Sequence, residues 1–182
     1  MGHSALVDHQ STLISRLLRV EDAPVIAGLY VANREFLAPW EPAREESFFI
    51  AEAQRKVAEG LLEQHAQGRS LPHVILDENG EVIGRITING IVRGAAQSGS
   101  VGYWVSQHAN GRGYAGRAVA EIKRIAFSEL DLHRLEAGTL VHNVRSQRVL
   151  ERNGFERYGM APRAINIAGR WQDHILFQVL NE

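Results

Sequence analysis

The chain has 182 residues, of which 20 are Lys or Arg, 21 are Asp or Glu and none is cysteine. A disulfide framework, a thiolate zinc site, an iron–sulfur cluster and a cysteine nucleophile are thereby excluded. A net charge of -1 and a pI near 6.7 argue against a general nucleic-acid binder, and no apolar run nears the ~20 residues that span a bilayer, so a soluble protein with no membrane partner is expected.

Met1-Gly2-His3-Ser4 lacks a basic region followed by an apolar stretch, so it does not read as a signal peptide. Leu6 stands where a myristoylation signal needs Ser or Thr. A cytoplasmic protein is expected, with one domain over residues 1–182 and residues 1–10 as a flexible arm.

Residues 12–18 read as a first strand. Glu21-Asp22-Ala23-Pro24 then opens a helix, with carboxylates at the positive helix end and Pro in the first turn. Pro39 and Pro42 bracket Trp40-Glu41 in a loop. From residue 45 to about 67, Phe49, Ala53, Val57, Leu61 and Leu62 recur at helical spacing, and Gly68 ends the run. The period then shortens. Residues 73–76 are a strand, Asp77-Glu78-Asn79-Gly80-Glu81 is a hairpin turn, and 82–88 is the partner strand. Residues 101–105 form the next strand, followed by a Gly-rich loop and an amphipathic helix from about 115 to 130. A strand over 134–140, a short helix over 144–152, a strand from Phe155 and a last one over 171–180 complete the order. This is a mixed α/β fold with a largely antiparallel meander in the middle. Phe48, Phe49 and Phe127 read as packing, and the spacing of the eight His residues offers no metal site.

Charge is unevenly distributed. Residues 35–63 hold seven acidic and three basic side chains, and residues 110–157 hold nine basic and six acidic. Solvated helix faces account for such runs. The functional alternative is a cation-accepting region followed by an anion-binding one.

Asn110-Gly111-Arg112-Gly113-Tyr114-Ala115-Gly116-Arg117 joins a strand directly to a helix. Its glycines let successive N–H groups face one concavity, beside a helix N-terminus and two guanidinium groups. That construction suits phosphate oxygens, although a glycine-rich turn can also be purely steric. Neither a Walker loop nor a dinucleotide fingerprint is present.

Gly102-Tyr103-Trp104-Val105 followed by this loop resembles the acetyl-coenzyme A segment of the GCN5-related N-acetyltransferases (GNAT). Gly113 and Ala115 match that family's pattern of Gln or Arg, two residues, Gly, one residue, Gly or Ala; Asn110 replaces the Gln or Arg. Asn143-Val144-Arg145-Ser146 and Glu151-Arg152-Asn153-Gly154-Phe155 resemble its second motif. His133-Arg134-Leu135-Glu136-Ala137, His142-Asn143, Phe36-Leu37-Ala38-Pro39-Trp40-Glu41 and Gly169-Arg170-Trp171-Gln172-Asp173-His174 are similar to the branch acting on ribosomal-protein N-termini (RimJ/RimL type).

The resemblance implies a sheet of about seven strands with about four helices, acetyl-CoA as cofactor and an amine acceptor. It implies cofactor contacts from Trp104, Val105, Ser106, the segment Asn110, Gly111, Arg112, Gly113, Tyr114, Ala115, Gly116 and Arg117, then Asn143 and Ser146. The acceptor side would be Trp40, Glu41, Tyr103, Asp173 and His174. The Val105 N–H would hold the thioester carbonyl. Many family members carry a Tyr seven residues after the Asn as acid for the leaving thiolate; Leu150 stands there. The role passes to Ser146, whose other reading is a helix cap. Relatives often carry a Glu near the position of Ser100. Without it, the candidate bases are Glu41, His73, Asp173 and His174, and none is expected to dominate, because an α-amine with a pKa of about 7.7–8.0 is partly neutral at pH 7.

The leading expectation is transfer to a protein N-terminus by direct attack in a ternary complex, since no Cys can carry the acyl group. Alternatives are acetylation of a polyamine, amino sugar or antibiotic, and a non-catalytic acyl-CoA-binding module. Only Lys56 and Lys123 are available for self-acetylation. Monomer and homodimer are both open.

Overall fold

Strand β2 (Leu71–Leu76) is buried at all six positions and marks where the layers lie. Val74 and Leu76 pack with Leu18, Ile26, Tyr30, Leu37 and Ala58, while Leu71 and Ile75 pack with Ala118, Val119, Ile122 and Leu150. A strand covered on both faces needs an almost continuous apolar run, which Leu-Pro-His-Val-Ile-Leu supplies. These positions belong to a computed structural model that describes residues 13–182; the arm read at residues 1–10 lies outside the described residues.

One layer is built from α1 (Ala23–Ala32), the single turn α2 (Arg34–Leu37) and α3 (Ala51–Ala66). The other holds α4 (Tyr114–Ser128) and α5 (Val144–Arg152). Between them lies a seven-stranded sheet ordered β1-β2-β3-β4-β5-β7-β6. Its other strands are β1 (Ser15–Leu17), β3 (Val82–Val92), β4 (Ser98–Val105), β5 (Arg134–Leu140), β6 (Glu156–Ile167) and β7 (Arg170–Leu180). The expected architecture of seven strands and four helices is present, with α2 added. No helix among the described residues is long and apolar enough to cross a membrane.

Every neighbouring pair is antiparallel except β4 with β5. That parallel pair matches only Ser98 with Arg134, Gly99 with Leu135 and Ser100 with Glu136. Strand β4 stays paired with β3 as far as Gly84–Val105. Beyond Ser100, therefore, β4 keeps one neighbour and parts from the other. Gly84 permits this: a Cβ there would lie 2.2 Å from the Trp104 carbonyl oxygen, so any side chain would push β4 off β3.

Helix α3 begins at Ala51, later than the sequence spacing suggests. Glu46–Phe49 form one 3-10 turn and Ile50 is extended, at φ -94 and ψ 149. Phe48 faces Tyr30 edge-on at 4.9 Å, and Gln54 Nε2 donates to the Phe48 carbonyl at 2.7 Å. Packing and a side-chain bond thus hold the turn apart from the helix. Phe49 and Phe127 pack half-buried against the two cores. Strand β6 is long and irregular, with register shifts at Arg157/Gly159 and Ala161/Ile165; these shifts and its mostly exposed side chains break the period of two on which sequence patterning relies.

Candidate active site

The gap between β4 and β5 is the centre of the site. Side chains alternate across a strand, so Val101, Tyr103 and Val105 face the α4–α5 layer while Gly102 and Trp104 face α1 and α3; Tyr103 accordingly packs on the first core and Trp104 on the second. Backbone groups alternate within the sheet plane in the same way. The Ser106 N–H donates to the Ile83 carbonyl of β3 at 2.8 Å, which turns the Val105 and Tyr103 N–H groups toward the gap. A cavity of about 160 Å³ runs through it, lined on the two strands by Val101 to Trp104 and Ala137 to Leu140.

Beyond β4 the chain makes a 3-10 turn and reaches α4 through Asn110–Gly113. Gly111 and Gly113 have φ of 78 and 80, a left-handed conformation that costs other residues about 1–2 kcal/mol. Gly113 occupies the N-cap position and no side chain caps α4. The first-turn N–H groups are thus available to an anionic ligand. Gly116 in that turn has nothing within 4 Å of where a Cβ would stand. Arg117 lies 4.7 Å and Arg112 5.3 Å from the centre of the Tyr114 ring. Arg112 and the Tyr114 hydroxyl both engage Glu78 of the β2–β3 turn. Asn110 turns inward: its Nδ2 donates to the carbonyls of Ser106 at 2.9 Å and Val105 at 3.2 Å, so this side chain fixes the turn itself.

On the α5 side of the gap, Asn143 caps the helix by accepting from the Ser146 N–H at 3.2 Å. The Ser146 hydroxyl is left for another task. It lies 2.8 Å from the Tyr103 hydroxyl. Burial pushes the Tyr103 phenol up to about 12, against a smaller opposing effect of its bond to Ser146, so both hydroxyls are neutral at physiological pH. Thr139 projects into the same cavity, 4% exposed, and its Oγ1 has no hydrogen-bond partner. A buried hydroxyl without a partner is costly, and a polar chain passing through the gap would satisfy it.

On the opposite face the cavity is lined by Trp40, Glu41 and His174. The Trp40 ring lies 5.5 Å from that of His142. Burial raises the Glu41 carboxyl above its ordinary range, offset in part by Arg44 and Arg85. Glu41 is the one carboxylate among the cavity-lining residues. His174 is buried, with Nδ1 3.2 Å from the Gln172 carbonyl oxygen.

Three sequence candidates lie elsewhere. Asp173 accepts the Arg163 N–H at 2.8 Å within the β6–β7 hairpin and does not line the cavity. His73 is held between strands with Nδ1 3.1 Å from Ser15 Oγ, and burial lowers its imidazole to about 4. Ser106 is fully buried and its Oγ accepts from Asn33 Nδ2 at 3.1 Å.

The Acetyltransferase (GNAT) domain family pattern matches residues 12–156. The chain belongs to the GNAT acetyltransferase family. The ribosomal protein uS5-alanine N-acetyltransferase of Escherichia coli is 34% identical over 165 residues, covering 90% of this chain and 85% of that one. The crystal structure of the ribosomal-protein-S5-alanine acetyltransferase from Vibrio fischeri superposes with a TM-score of 0.88 at 34% identity, over 92% of both chains. Mycobacterium smegmatis RimJ in complex with CoA-disulfide gives a TM-score of 0.88 at 32% identity, over 91% of this chain and 80% of that one.

Within this GNAT site, sequence reading missed three residues. Asn33 ties the end of α1 to the end of β4, since its Oδ1 also accepts the Gln107 N–H at 2.7 Å. Glu78 pairs with the glycine loop, and Thr139 faces the gap. Each acts across 30 or more residues or through an unmet valence, and neither leaves a local pattern. Among the described residues no three His, Asp or Glu side chains gather as a metal site.

Proposed function

We propose that this GNAT acetyltransferase uses acetyl-CoA to acetylate the N-terminal α-amine of a protein, a ribosomal protein being the leading candidate, in the cytoplasm. The observation that carries the reading is the gap between β4 and β5. It opens the sheet from face to face, with paired hydroxyls on one side and a desolvated carboxylate on the other. Cofactor and acceptor can therefore approach one point from opposite faces. The identity with ribosomal-protein alanine N-acetyltransferases over most of the chain supports the choice of acceptor.

The donor side fits the cofactor by three features. The N-terminus of α4 with Arg112 and Arg117 would receive phosphates. The free edge of β4 would pair with an amide-bearing arm. Thr139 offers an unmet hydroxyl. When bound, acetyl-CoA supplies an acyl thioester. The Val105 N–H, turned into the gap, would bind the carbonyl oxygen as negative charge grows on it. Tyr103 keeps its proton at neutral pH, and its hydroxyl holds Ser146 through both Oγ at 2.8 Å and the main-chain carbonyl at 3.3 Å. Ser146 would then donate a hydrogen bond to the departing thiolate while keeping its own proton, and the amine's proton leaves by way of Glu41 and water. Glu41 accepts a hydrogen bond from the incoming amine and draws off its proton, directly or through water. With no cysteine in the chain, transfer is direct.

The test is thiol release from acetyl-CoA with N-terminal peptides of ribosomal proteins, compared with polyamines and aminoglycosides. Turnover of peptides at least about tenfold above the small amines is expected. A preference for spermidine or an aminoglycoside would replace the proposed acceptor. Absence of turnover with every amine would leave an acyl-CoA-binding protein.

A further inference from the structure

A second cavity, of about 330 Å³, lies beside the first on the α1–α3 face of the sheet. Its volume is at the lower end of the range of about 300–1,000 Å³ seen for small-ligand sites. The reaction cavity and this chamber share Leu37 and Glu41. Three aromatic rings stand in its wall. Tyr30 meets Phe48 edge-on at 4.9 Å, and Phe48 meets Phe49 at 5.5 Å. The Arg44 guanidinium lies 4.5 Å from the Phe48 ring centre and that of Arg34 lies 4.4 Å from the Phe49 ring centre. Arg34 is also paired with Glu46. The Ala168 N–H donates to the Glu41 carbonyl at 3.1 Å, which pins the loop carrying Glu41 to the β6–β7 turn.

We propose that this chamber is a side-chain subsite that selects acceptor peptides with a large apolar second residue. The inference rests on the proposed acetylation of protein N-termini and names the sequence class that this site prefers. A peptide whose α-amine lies at Glu41 in the reaction cavity has its second residue at the shared wall. That residue is where a side chain can turn into the chamber. The rings offer contact area for a Phe, Leu or Met side chain. A Lys or Arg side chain would meet the Arg44 guanidinium, while Arg34 is already paired with Glu46, and a Gly or Ser would bury no apolar surface in the chamber. A long acyl chain is the competing occupant. The chamber, however, lies on the side of the sheet where Tyr30, Phe48 and Trp104 pack, across from Ser146 and Tyr103, so a chain extending from the thioester would have to pass Glu41 to reach it.

The test uses the full-length protein and a series of peptides that begin with Ala and carry Phe, Leu, Gly, Ser or Lys second. Acetyl transfer gives kcat/KM, and calorimetric titration of the CoA-loaded protein gives binding separately. The expected result is a preference of about 10- to 100-fold for Phe or Leu over Gly, Ser and Lys in both measurements. In Ala43→Trp, which puts a large side chain on the chamber wall, the Phe-to-Gly ratio falls toward one. Equal kcat/KM and equal affinity across the series overturn the subsite even if every peptide is acetylated. Selective binding without transfer supports the subsite and removes the acetylation reading. Failure to bind any peptide overturns both. If octanoyl-CoA outperforms acetyl-CoA and Ala43→Trp abolishes that advantage, the chamber holds the acyl chain and the proposal fails.

Discussion

The two faces of the sheet build their halves of the site from different materials. On the α4–α5 face the main resource is backbone: left-handed glycines, an uncapped helix start and the unpaired edge of β4. On the α1–α3 face it is side chains, with Trp40 and Glu41 from one loop, Trp104 from β4 and His174 from β7. Backbone sites recognise features common to many ligands, such as phosphate and amide groups. Side-chain sites recognise what distinguishes one ligand from another. The division fits an enzyme whose cofactor is constant and whose acceptor must be chosen. On the proposed reading the reacting point is the gap, where the two meet.

The division can be broken or sharpened by substitution. The largest effect is expected at the gap itself. Ser146→Ala should lower kcat by about 10²- to 10³-fold, the scale of losing one donor to developing charge, with CoA affinity by titration within about twofold of the parent. Equal turnover would remove Ser146 from the chemistry. Next, Glu41→Gln should reduce kcat/KM for the peptide by about 10- to 100-fold, the low end of general-base contributions, without altering CoA affinity. If CoA weakens as much as peptide, the faces are not separate.

Glu41 also predicts a pH effect of defined sign. Only its ionised form can take a proton from the amine, and burial raises its carboxyl above the ordinary range. The rate should therefore fall with decreasing pH through a limb above that of an exposed Glu, and Glu41→Gln should lose this limb in a pH–rate profile. On the other face, Gly113→Val should weaken CoA roughly tenfold, because left-handed backbone costs about 1–2 kcal/mol with a side chain and relaxing it displaces the N–H groups. Peptide affinity should stay put. The smallest effect is expected for Arg112→Ala. Its guanidinium is exposed and already paired with Glu78, and such pairs contribute about 0–1 kcal/mol, so a loss of CoA affinity below about fivefold is expected by titration.

The same division explains what could be read from sequence. The glycine loop from Asn110 to Arg117 and the Asn143–Ser146 turn are contiguous, and their residue types follow from local backbone demands. The strand order through the meander was legible for the same reason, because Asn79-Gly80 and the period of two are local. Asn33, Glu78 and Thr139 were not legible, since their roles depend on partners brought together by the fold. Asp173 and His174 are adjacent in sequence, yet strand alternation sends one to a hairpin bond and the other to the cavity. The 3-10 turn ahead of α3 escaped because Phe48 is drawn inward by Tyr30, a contact from another helix. The chamber beside Glu41 is assembled from three such segments.

The three-residue pairing of β4 with β5 has a consequence for hydrogen exchange. Amides of Gly102 and Trp104 lie on the β3 side and are locked in the ladder. Those of Tyr103 and Val105 face the gap with no strand partner. In the free protein, protection along this one strand should alternate residue by residue, slow then fast. A ligand that pairs with the open edge would slow the fast amides and leave the slow ones nearly unchanged. The strand thereby carries its own record of occupancy, readable before any acetyl group moves.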